Sequence, residues 1–501
     1  MLQTNRLILL VHSLSAAEKK KFRTGRTEKD YTVLFDIIDT TSSITPQKLK
    51  TIFHRTRKEA NFNASVAYLY KTLLDTLLIL REDHDSHYLL FNKILRAKVL
   101  FEKSLFEDAI QLLGKVKKKA LQYENHIALL YASRLELEFL LFLNLPDIRE
   151  SELLEKHFQV NEVLKNIRKF NEHSSLFELL KHRIMYKENI RSRQQKDALY
   201  DLVISEMSIN SSQKDSFEVR KMHLLFQANY LIGVGDHGSA LQSFRELNDL
   251  FENNPQPQQG FPFYYISTLE GILENLRNMK KYEEMPYFID RLKKTRLASE
   301  EFHPHINALI FLYELFPFLD KGDFPASRAL IEKYKETVLS RTDHLNLIKR
   351  AEISLYLSLV HIGFRHFEEA QKTLLNDVVR NNKMYTLPLY RTIRLINLII
   401  HYERGNFDVI HFESRSIKRK IPHVEKAYRV EKLMLRFLNK NRKIMRNRER
   451  EKSWSRIRPE LEAIRADIFE HQLLKSFDFT AWIESQLRRI PLQEVLRSRH
   501  E

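Results

Sequence analysis

Apolar residues recur along this chain at spacings of three and four positions, which is the period of an α-helix. The pattern is clearest in the stretch 93–124, where a first apolar face includes Ala97 and a break falls near 103–104. A second apolar face follows at spacings of 3, 4 and 3 residues and comprises Phe106, Ala109, Leu113 and Val116. The stretch therefore predicts two helices that pack through small residues and are joined by a tight turn.

The same combination of turn and apolar face returns five more times. Aligned on one small or apolar position of the second helix, the six copies fall at Ala109, Ala240, Met285, Ser327, Ala370 and Ile410. The last four intervals are 45, 42, 43 and 40 residues, and the first, 131, is close to three such periods. We expect Ala198 and a position near Leu153 to fill the two gaps, although no turn motif marks the second.

The residues of these turns have physical roles. Gly235, Gly322 and Gly405 can adopt the left-handed backbone that a tight turn between helices needs. An Asp or Asn follows each of them and can cap the next helix. The low contents of glycine (10) and proline (13) also favour long helices with short connections. The chain is therefore predicted to be all-α. We expect a right-handed α-solenoid of about eight TPR-like hairpins, longer than the usual repeat of about 34 residues.

The pattern changes on both sides of the repeats, which indicates three parts. They are a helical head or cap at 1–88, the TPR-like solenoid at 89–420 and a basic C-terminal helical cap at 421–501. In the head, Ser15 and Glu18 have the spacing of a capping box, and Pro46 marks another helix start. Helices at 46–57 and 64–80 could form a DNA-binding helix-turn-helix. A capping bundle is favoured, because the would-be recognition helix is nearly all apolar whereas base readout needs polar side chains.

Positive charge is concentrated in one part of the sequence. The whole chain has 82 Lys and Arg against 65 Asp and Glu, a net charge of +17. Between Arg415 and Arg458 the corresponding counts are 17 and 4, so a net charge of +13 lies there. An amphipathic helix and the basic run after it contain the candidate polyanion-binding residues Lys426, Arg429, Lys432, Arg436, Lys440, Arg442, Lys443, Arg446, Arg448 and Arg450.

Three interpretations of this basic stretch stay open. Clustered cations bind nucleic-acid phosphates and release counterions. However, the aromatic residues that would stack on single strands are sparse, namely Tyr428, Phe437 and Trp454. An acidic protein partner, or simple solvation of one helix face, would account for the same charges.

Composition also limits the location of the protein. No apolar run approaches the roughly 18 residues that a membrane span needs, and Leu7–Val11 is too short for the core of a signal peptide. The absence of cysteine excludes disulfides, thiolate metal sites and a cysteine nucleophile. We therefore expect a cytoplasmic protein without membrane binding.

The sequence contains no catalytic constellation such as GxSxG, HExxH, a P-loop or GxGxxG. Three histidine pairs invite a metal interpretation: His84 with His87, His303 with His305, and His361 with His401. The first two have no standard zinc spacing, and the third follows from equivalent positions in successive hairpins. The chain is therefore expected not to be an enzyme and to use no metal or cofactor.

Four stretches carry a family resemblance: SLSAAEKKKF at Ser13–Phe22, YLYKTLL at Tyr68–Leu74, LFEKSLFEDAIQLL at Leu100–Leu113 and FDFTAWIES at Phe477–Ser485. In these stretches the chain resembles a family of uncharacterised TPR-like helical-repeat proteins from Bacteroidetes-type bacteria. The resemblance covers both ends of the chain and implies a helical-repeat fold and a cytosolic setting. It implies no known activity, so no functional residue is carried over from it.

These observations predict a non-enzymatic scaffold or adaptor. Stacked helical hairpins present a long concave surface, and a protein or peptide partner is expected to bind there. The alternative is a nucleic-acid- or ribosome-associated protein that acts through the basic C-terminal stretch.

Overall fold

The computed structural model describes residues 2–24, 27–41, 44–81, 86–146, 148–184, 199–209, 216–255, 262–298, 303–375, 388–420, 428–440 and 447–500. Over these ranges the regular structure is entirely helical, with no strand. The first helices are α1 Leu2–Ser13, α2 Ala16–Arg23, α3 Asp30–Thr40, α4 Pro46–Thr56, α5 Phe62–Arg81, α6 Ser86–Glu102, α7 Phe106–Gln122, α8 His126–Phe142 and α9 Glu150–His182.

The chain from Tyr200 onwards is also helical in the described ranges. Its helices are α10 Tyr200–Ser208, α11 Phe217–Gly233, α12 His237–Asn253, α13 Phe263–Asn278, α14 Met285–Ala298, α15 His303–Asp320, α16 Phe324–Lys333, α17 Leu347–Gly363, α18 Phe367–Leu375, α19 Pro388–Arg404 and α20 Phe407–Lys420. The last five are α21 Arg429–Lys440, α22 Asn447–Ala466, α23 His471–Leu474, α24 Phe479–Arg488 and α25 Leu492–Arg497.

The chain divides into two compact units. Unit 1 comprises Met1–Ile167 and Asn254–Phe261, and unit 2 comprises Arg168–Asn253 and Pro262–Glu501. The division falls within α9, a helix of 33 residues. It therefore coincides with neither of the predicted borders, at residues 88 and 420.

The N-terminal head of unit 1 is a bundle of α1 to α5. Leu34 and Phe53 in its core have no exposed surface. The predicted capping box is present: the Ser15 hydroxyl accepts from the Glu18 N–H, and the Glu18 carboxylate accepts from the Ser15 N–H at 2.7 Å. Helix α4 begins at Pro46, as predicted, whereas α1 has no counterpart in the sequence-based prediction.

All six predicted turns connect two helices that pack against each other. In each turn a residue two positions before the next helical segment has a φ between 57° and 81°, namely Ser104, Gly235, Lys280, Gly322, Arg365 or Gly405. The following N–H donates to the carbonyl five residues earlier, as from Asp236 to Leu231 at 2.9 Å. This bond closes the first helix as in a Schellman motif.

Two of the turns depart from the chemistry that the sequence suggested. Lys280 and Arg365 have φ values of 57° and 62° although neither is glycine or a small polar residue. A left-handed backbone costs an L-residue roughly 1–2 kcal/mol. The packing of the two flanking helices therefore sets these turns, and glycine only makes them easier to form.

Successive hairpins of unit 2 pack on one another. The first helix of each hairpin contacts the first helix of the next, in the order α13, α15, α17 and α19. The second helix of each hairpin also contacts the first helix of the next. Their apolar faces join in one continuous core that extends from Phe217 to Leu496. Unit 2 is thus an array of helices in which each packs against its neighbours.

The structure describes only one of the two positions, Ala198 and Leu153, that were predicted to fill the gaps between the repeats. Ala198 lies outside the described residues. Leu153 is the fourth residue of α9, just as Ala109 is the fourth residue of α7, and the turn before it contains Asn144 at a φ of 60°. The all-helical fold is confirmed, whereas the count of eight hairpins and the right-handed solenoid stay predictions.

Candidate functional site

Residues 467–500, called here the C-terminal segment, pack across two hairpin turns of unit 2, those at Gly235 and Gly322. A Cβ atom added to Gly235 would lie 2.7 Å from Cγ1 of Ile468. A Cβ atom added to Gly322 would lie 2.9 Å from the backbone of Gln493. These two glycines therefore allow both the left-handed turn and the close approach of the C-terminal segment.

Polar contacts hold the C-terminal segment against two helices of the array. Lys475 Nζ donates to Glu274 Oε1 of α13 at 2.6 Å. Glu403 of α19 accepts from the indole N–H of Trp482 at 3.3 Å and from the amide of Gln486 at 2.6 Å. The segment is thus bound by apolar anchors and charged pairs, as a peptide ligand would be.

A cavity of about 510 Å³ lies between the C-terminal segment and the turns of α13–α14 and α15–α16. Three of its lining cations are each paired with a carboxylate: Arg277 with Asp320, Lys475 with Glu274, and Arg499 with Asp478. Lys280 also lines the cavity and donates to the backbone carbonyl of Arg499 at 2.9 Å. These contacts stabilise the walls of the cavity and keep the segment in place.

The pair formed by Glu274 and Lys475 makes the stability of unit 2 dependent on pH. The Lys475 ammonium lowers the pKa of Glu274 from 4.5 to about 2, although burial raises it. Because the folded-state pKa is the lower one, the pair stabilises the folded chain above pH 4.5 and loses this effect as the pH falls towards 2. The two side chains keep 39% and 32% of their surface exposed. We therefore expect Glu274→Gln to lower the free energy of unfolding by only about 1 kcal/mol at neutral pH.

Chemical unfolding of the full chain at several pH values checks this expectation. The difference between wild type and Glu274→Gln should shrink as the solution is acidified through the titration range of the unfolded carboxyl group. Glu246→Gln is the matched control, because the exposed Glu246 carboxylate accepts from the Gln242 amide at 3.1 Å and has no cationic partner among the described residues. A difference that stays constant with pH would contradict the assignment.

Large apolar side chains stay exposed in unit 1 at the α6–α7 turn and at the C-terminal end of α8, which packs against α6. Phe142 is 69% exposed, Leu141 67% and Leu105 49%. The ring centroid of Phe142 lies 5.4 Å from that of Phe101 and 6.4 Å from that of Phe106. We call these five residues the aromatic patch.

Exposed apolar residues are concentrated in this part of the sequence. The described ranges expose 28 large hydrophobic side chains, and 19 of them lie between Tyr68 and Met207. Monomeric soluble proteins rarely leave large contiguous apolar areas open to water. The aromatic patch is therefore the best candidate for a surface that binds another protein.

The predicted polyanion-binding residues do not form one uninterrupted basic surface in the described part of the chain. Arg429 pairs with Asp467 at 3.4 Å, and Arg436 pairs with Glu460 at 2.5 Å. Arg450 is only 9% exposed, so it is not available as an exposed cation. Neighbouring carboxylates thus neutralise part of the charge that the sequence suggested.

The remaining members of this set fall into two groups. Lys432, Lys440 and Arg448 are exposed on α21 and α22 and form no ion pair with another described residue. The other four, Lys426, Arg442, Lys443 and Arg446, lie outside the described residues. The basic run extends into α22, a helix that begins at Asn447.

Two of the histidines singled out in the sequence, His87 and His401, have side-chain amide partners. His87 shares a hydrogen bond with the Asn125 amide at 3.1 Å, while His84 lies outside the described residues. His401 shares a hydrogen bond with the Gln371 amide at 3.2 Å, and burial lowers its pKa. These contacts fix histidines within the hairpins.

A different group brings three potential metal ligands together. Among the described residues, His173, Glu206 and His223 are the one group of this kind. Sequence reasoning missed it because the ligands lie 33 and 17 residues apart from one another on three helices. No local motif links side chains at such separations.

Comparison of the chain with protein-family models, curated proteins and solved structures finds no match. None of the described helices is both long and apolar enough to cross a membrane.

Proposed function

We propose that this protein is a non-enzymatic interaction scaffold, built as a right-handed α-solenoid of TPR-like hairpins. A segment of a partner protein binds across the α6–α7 turn, at the aromatic patch. One contrast carries the proposal: the chain's own C-terminal segment covers the turns at Gly235 and Gly322, whereas Leu105 of the α6–α7 turn and Phe142 at the neighbouring end of α8 are exposed.

The covered and exposed turns have similar backbone geometry. Ser104 of the α6–α7 turn has a φ of 63°, compared with 81° at Gly235 and 72° at Gly322. The side chains that lie against the two glycines are the apolar Ile468 and Leu496. The similar geometry and the aromatic side chains at the α6–α7 turn support a similar occupant there, supplied by a second protein.

The charges beside the aromatic patch indicate the chemistry of this partner. Glu102, Glu107 and Asp108 are exposed around the turn, against the single cation Lys103. Cations on a partner would pair with these carboxylates and set the orientation of binding. We therefore expect a partner segment with aromatic or aliphatic anchors flanked by Lys or Arg.

Capture from native lysate with the full-length protein tests the proposal. Phe142→Glu places a charge in the centre of the aromatic patch, at a side chain that is 69% exposed and contributes little to the core. Phe412→Glu is the matched control, since Phe412 is 64% exposed on α20 of unit 2. We expect a defined partner, identified by mass spectrometry, to bind wild type and the control but not Phe142→Glu.

Treatment of the lysate with nuclease distinguishes the two classes of function. A partner that survives nuclease and is lost with Phe142→Glu supports the scaffold. Capture that disappears entirely with nuclease would replace the scaffold with a nucleic-acid-associated function based on the exposed cations Lys432, Lys440 and Arg448. Equal capture by wild type and Phe142→Glu would place the binding surface elsewhere.

A further inference from the structure

We propose that His173, Glu206 and His223 form a binding site for a divalent transition-metal ion, and that Zn²⁺ is the ion that fits it best. The three residues lie in unit 2, on α9, α10 and α11 respectively. The site is separate from the aromatic patch and does not depend on the scaffold function.

The three side chains converge on one point. Nδ1 of His173 lies 3.0 Å from Oε1 of Glu206, and Nδ1 of His223 lies 2.6 Å from the same oxygen. All the ligand atoms lie within 4.8 Å of one another. Ligands of a tetrahedral zinc ion, with bonds of about 2.0–2.1 Å, are roughly 3.3 Å apart. Small side-chain rotations would therefore bring these atoms to coordinating positions.

The electrostatics of the group favour a cation. Glu206 is 4% exposed, and its described hydrogen-bond partners are the two histidines. No Lys or Arg among the described residues pairs with its carboxylate. A buried carboxylate needs a compensating positive charge. A metal ion supplies this charge and leaves both imidazoles neutral, as coordination requires.

The hydrogen bonds of His173 do not by themselves explain why a histidine occupies this buried position. Its side chain is fully buried, and its Nε2 atom has no hydrogen-bond partner among the described residues. A buried polar atom without a partner costs about 1–3 kcal/mol, so an apolar residue would be the more stable choice if packing were the only role. A role of the Nδ1 atom as a metal ligand therefore explains the imidazole at this position better than packing does.

The ligand types select the class of metal. Two imidazole nitrogens and one carboxylate oxygen suit Zn²⁺ and its neighbours in the first transition row, whereas Ca²⁺ and Mg²⁺ prefer oxygen ligands alone. Three protein ligands also leave a tetrahedral ion with one further position. His223 is 27% exposed at its side chain, so the ion can reach the site from solvent.

Zinc binding by the full-length protein tests the proposal. The protein is treated with a chelator and exchanged into zinc chloride, unbound metal is removed by gel filtration, and bound zinc is measured by mass spectrometry. Competition with a chromogenic chelator then gives the affinity. We expect wild type to bind one zinc ion through the trio, that is, through His173, Glu206 and His223. In His223→Gln and in Glu206→Gln the affinity for zinc should fall by at least about tenfold.

The two variants probe the site in different ways. Glu206→Gln keeps the size of the side chain and one acceptor oxygen, so a purely hydrogen-bonded trio would tolerate it better than a metal site. His401→Gln is the matched control, because His401 is a buried histidine with an amide partner and lies outside the trio. Circular dichroism checks that each variant is folded. His223 is replaced rather than His173 because it is the more exposed of the two histidines, so its substitution disturbs the fold less.

Two results would overturn the proposal. In one, wild type binds no more zinc than His223→Gln. In the other, His401→Gln loses as much zinc as His223→Gln does. Zinc retained by the control and lost from both variants of the trio supports the site.

Discussion

Replacement of Trp482 by Ala is expected to lower the free energy of unfolding of unit 2 by about 3–5 kcal/mol. Trp482 lies on α24 of the C-terminal segment and is only 2% exposed. Its ring packs edge-on against Tyr402 at 5.5 Å and Phe437 at 5.8 Å, and its indole N–H donates to Glu403. The substitution removes these contacts and leaves a cavity between the C-terminal segment and the helices that it covers.

Urea unfolding followed by circular dichroism measures this effect, and Trp454→Ala is the control. Trp454 is the other of the two tryptophans in the chain; it is half-buried, with the guanidinium of Arg488 5.7 Å from its ring centroid. Trp454→Ala should lower the free energy of unfolding by about 1 kcal/mol or less, since it removes fewer packing contacts. If Trp482→Ala costs no more than the control, then the C-terminal segment is not part of the core.

Loss of the Arg277 guanidinium is expected to destabilise unit 2 to a similar extent, about 3–5 kcal/mol for Arg277→Met. Arg277 donates to both carboxylate oxygens of Asp320, at 2.8 and 2.7 Å, and its guanidinium lies 3.6 Å from the ring centroid of Phe316. Burial lowers the pKa of Arg277, but the Asp320 carboxylate raises it well above its ordinary value, so the Arg277 guanidinium stays charged. Removing one partner leaves the Asp320 carboxylate with only the Tyr282 hydroxyl, at 3.1 Å, among its described hydrogen-bond donors.

A second substitution distinguishes this explanation from a simple loss of volume. When Asp320→Leu is combined with Arg277→Met, the unpaired buried charge is gone, and we expect most of the lost stability to return. Arg436→Met is the control, because the Arg436–Glu460 pair is 50% and 38% exposed and should contribute no more than about 1 kcal/mol. A double variant that is less stable than Arg277→Met would contradict the proposed role of the ion pair.

The sequence predicts the hairpins well because their determinants are local. Each turn needs one residue with a left-handed backbone and an apolar face that begins a few residues later, and both features lie within about ten positions. Glycine marks three of these residues directly. Lys280 and Arg365 were not predicted as turn residues, because their own chemistry does not favour a positive φ. The turns that contain them were predicted from the repeat positions Met285 and Ala370.

The position of the C-terminal segment could not be predicted in the same way. Lys475 contacts a carboxylate that precedes it by 201 residues, and periodic patterns carry no information about contacts at that distance. The burial of Arg450 escaped prediction for a related reason. Its position in a basic run suggested exposure, whereas its environment is decided by helices that are distant in sequence.

The C-terminal segment also bears on how the chain folds during its synthesis. Lys475 and Arg499 follow their partners Glu274 and Lys280 by 201 and 219 residues. At roughly 5–20 residues per second, the ribosome needs about 10–40 s to add that length of chain. During this interval the surfaces around Gly235 and Gly322 that the C-terminal segment covers are open on the nascent chain of unit 2. Apolar surface that is exposed transiently during folding favours aggregation. The helices of the head, α1 to α5, contact one another within the first 81 residues, so the head can fold soon after it emerges.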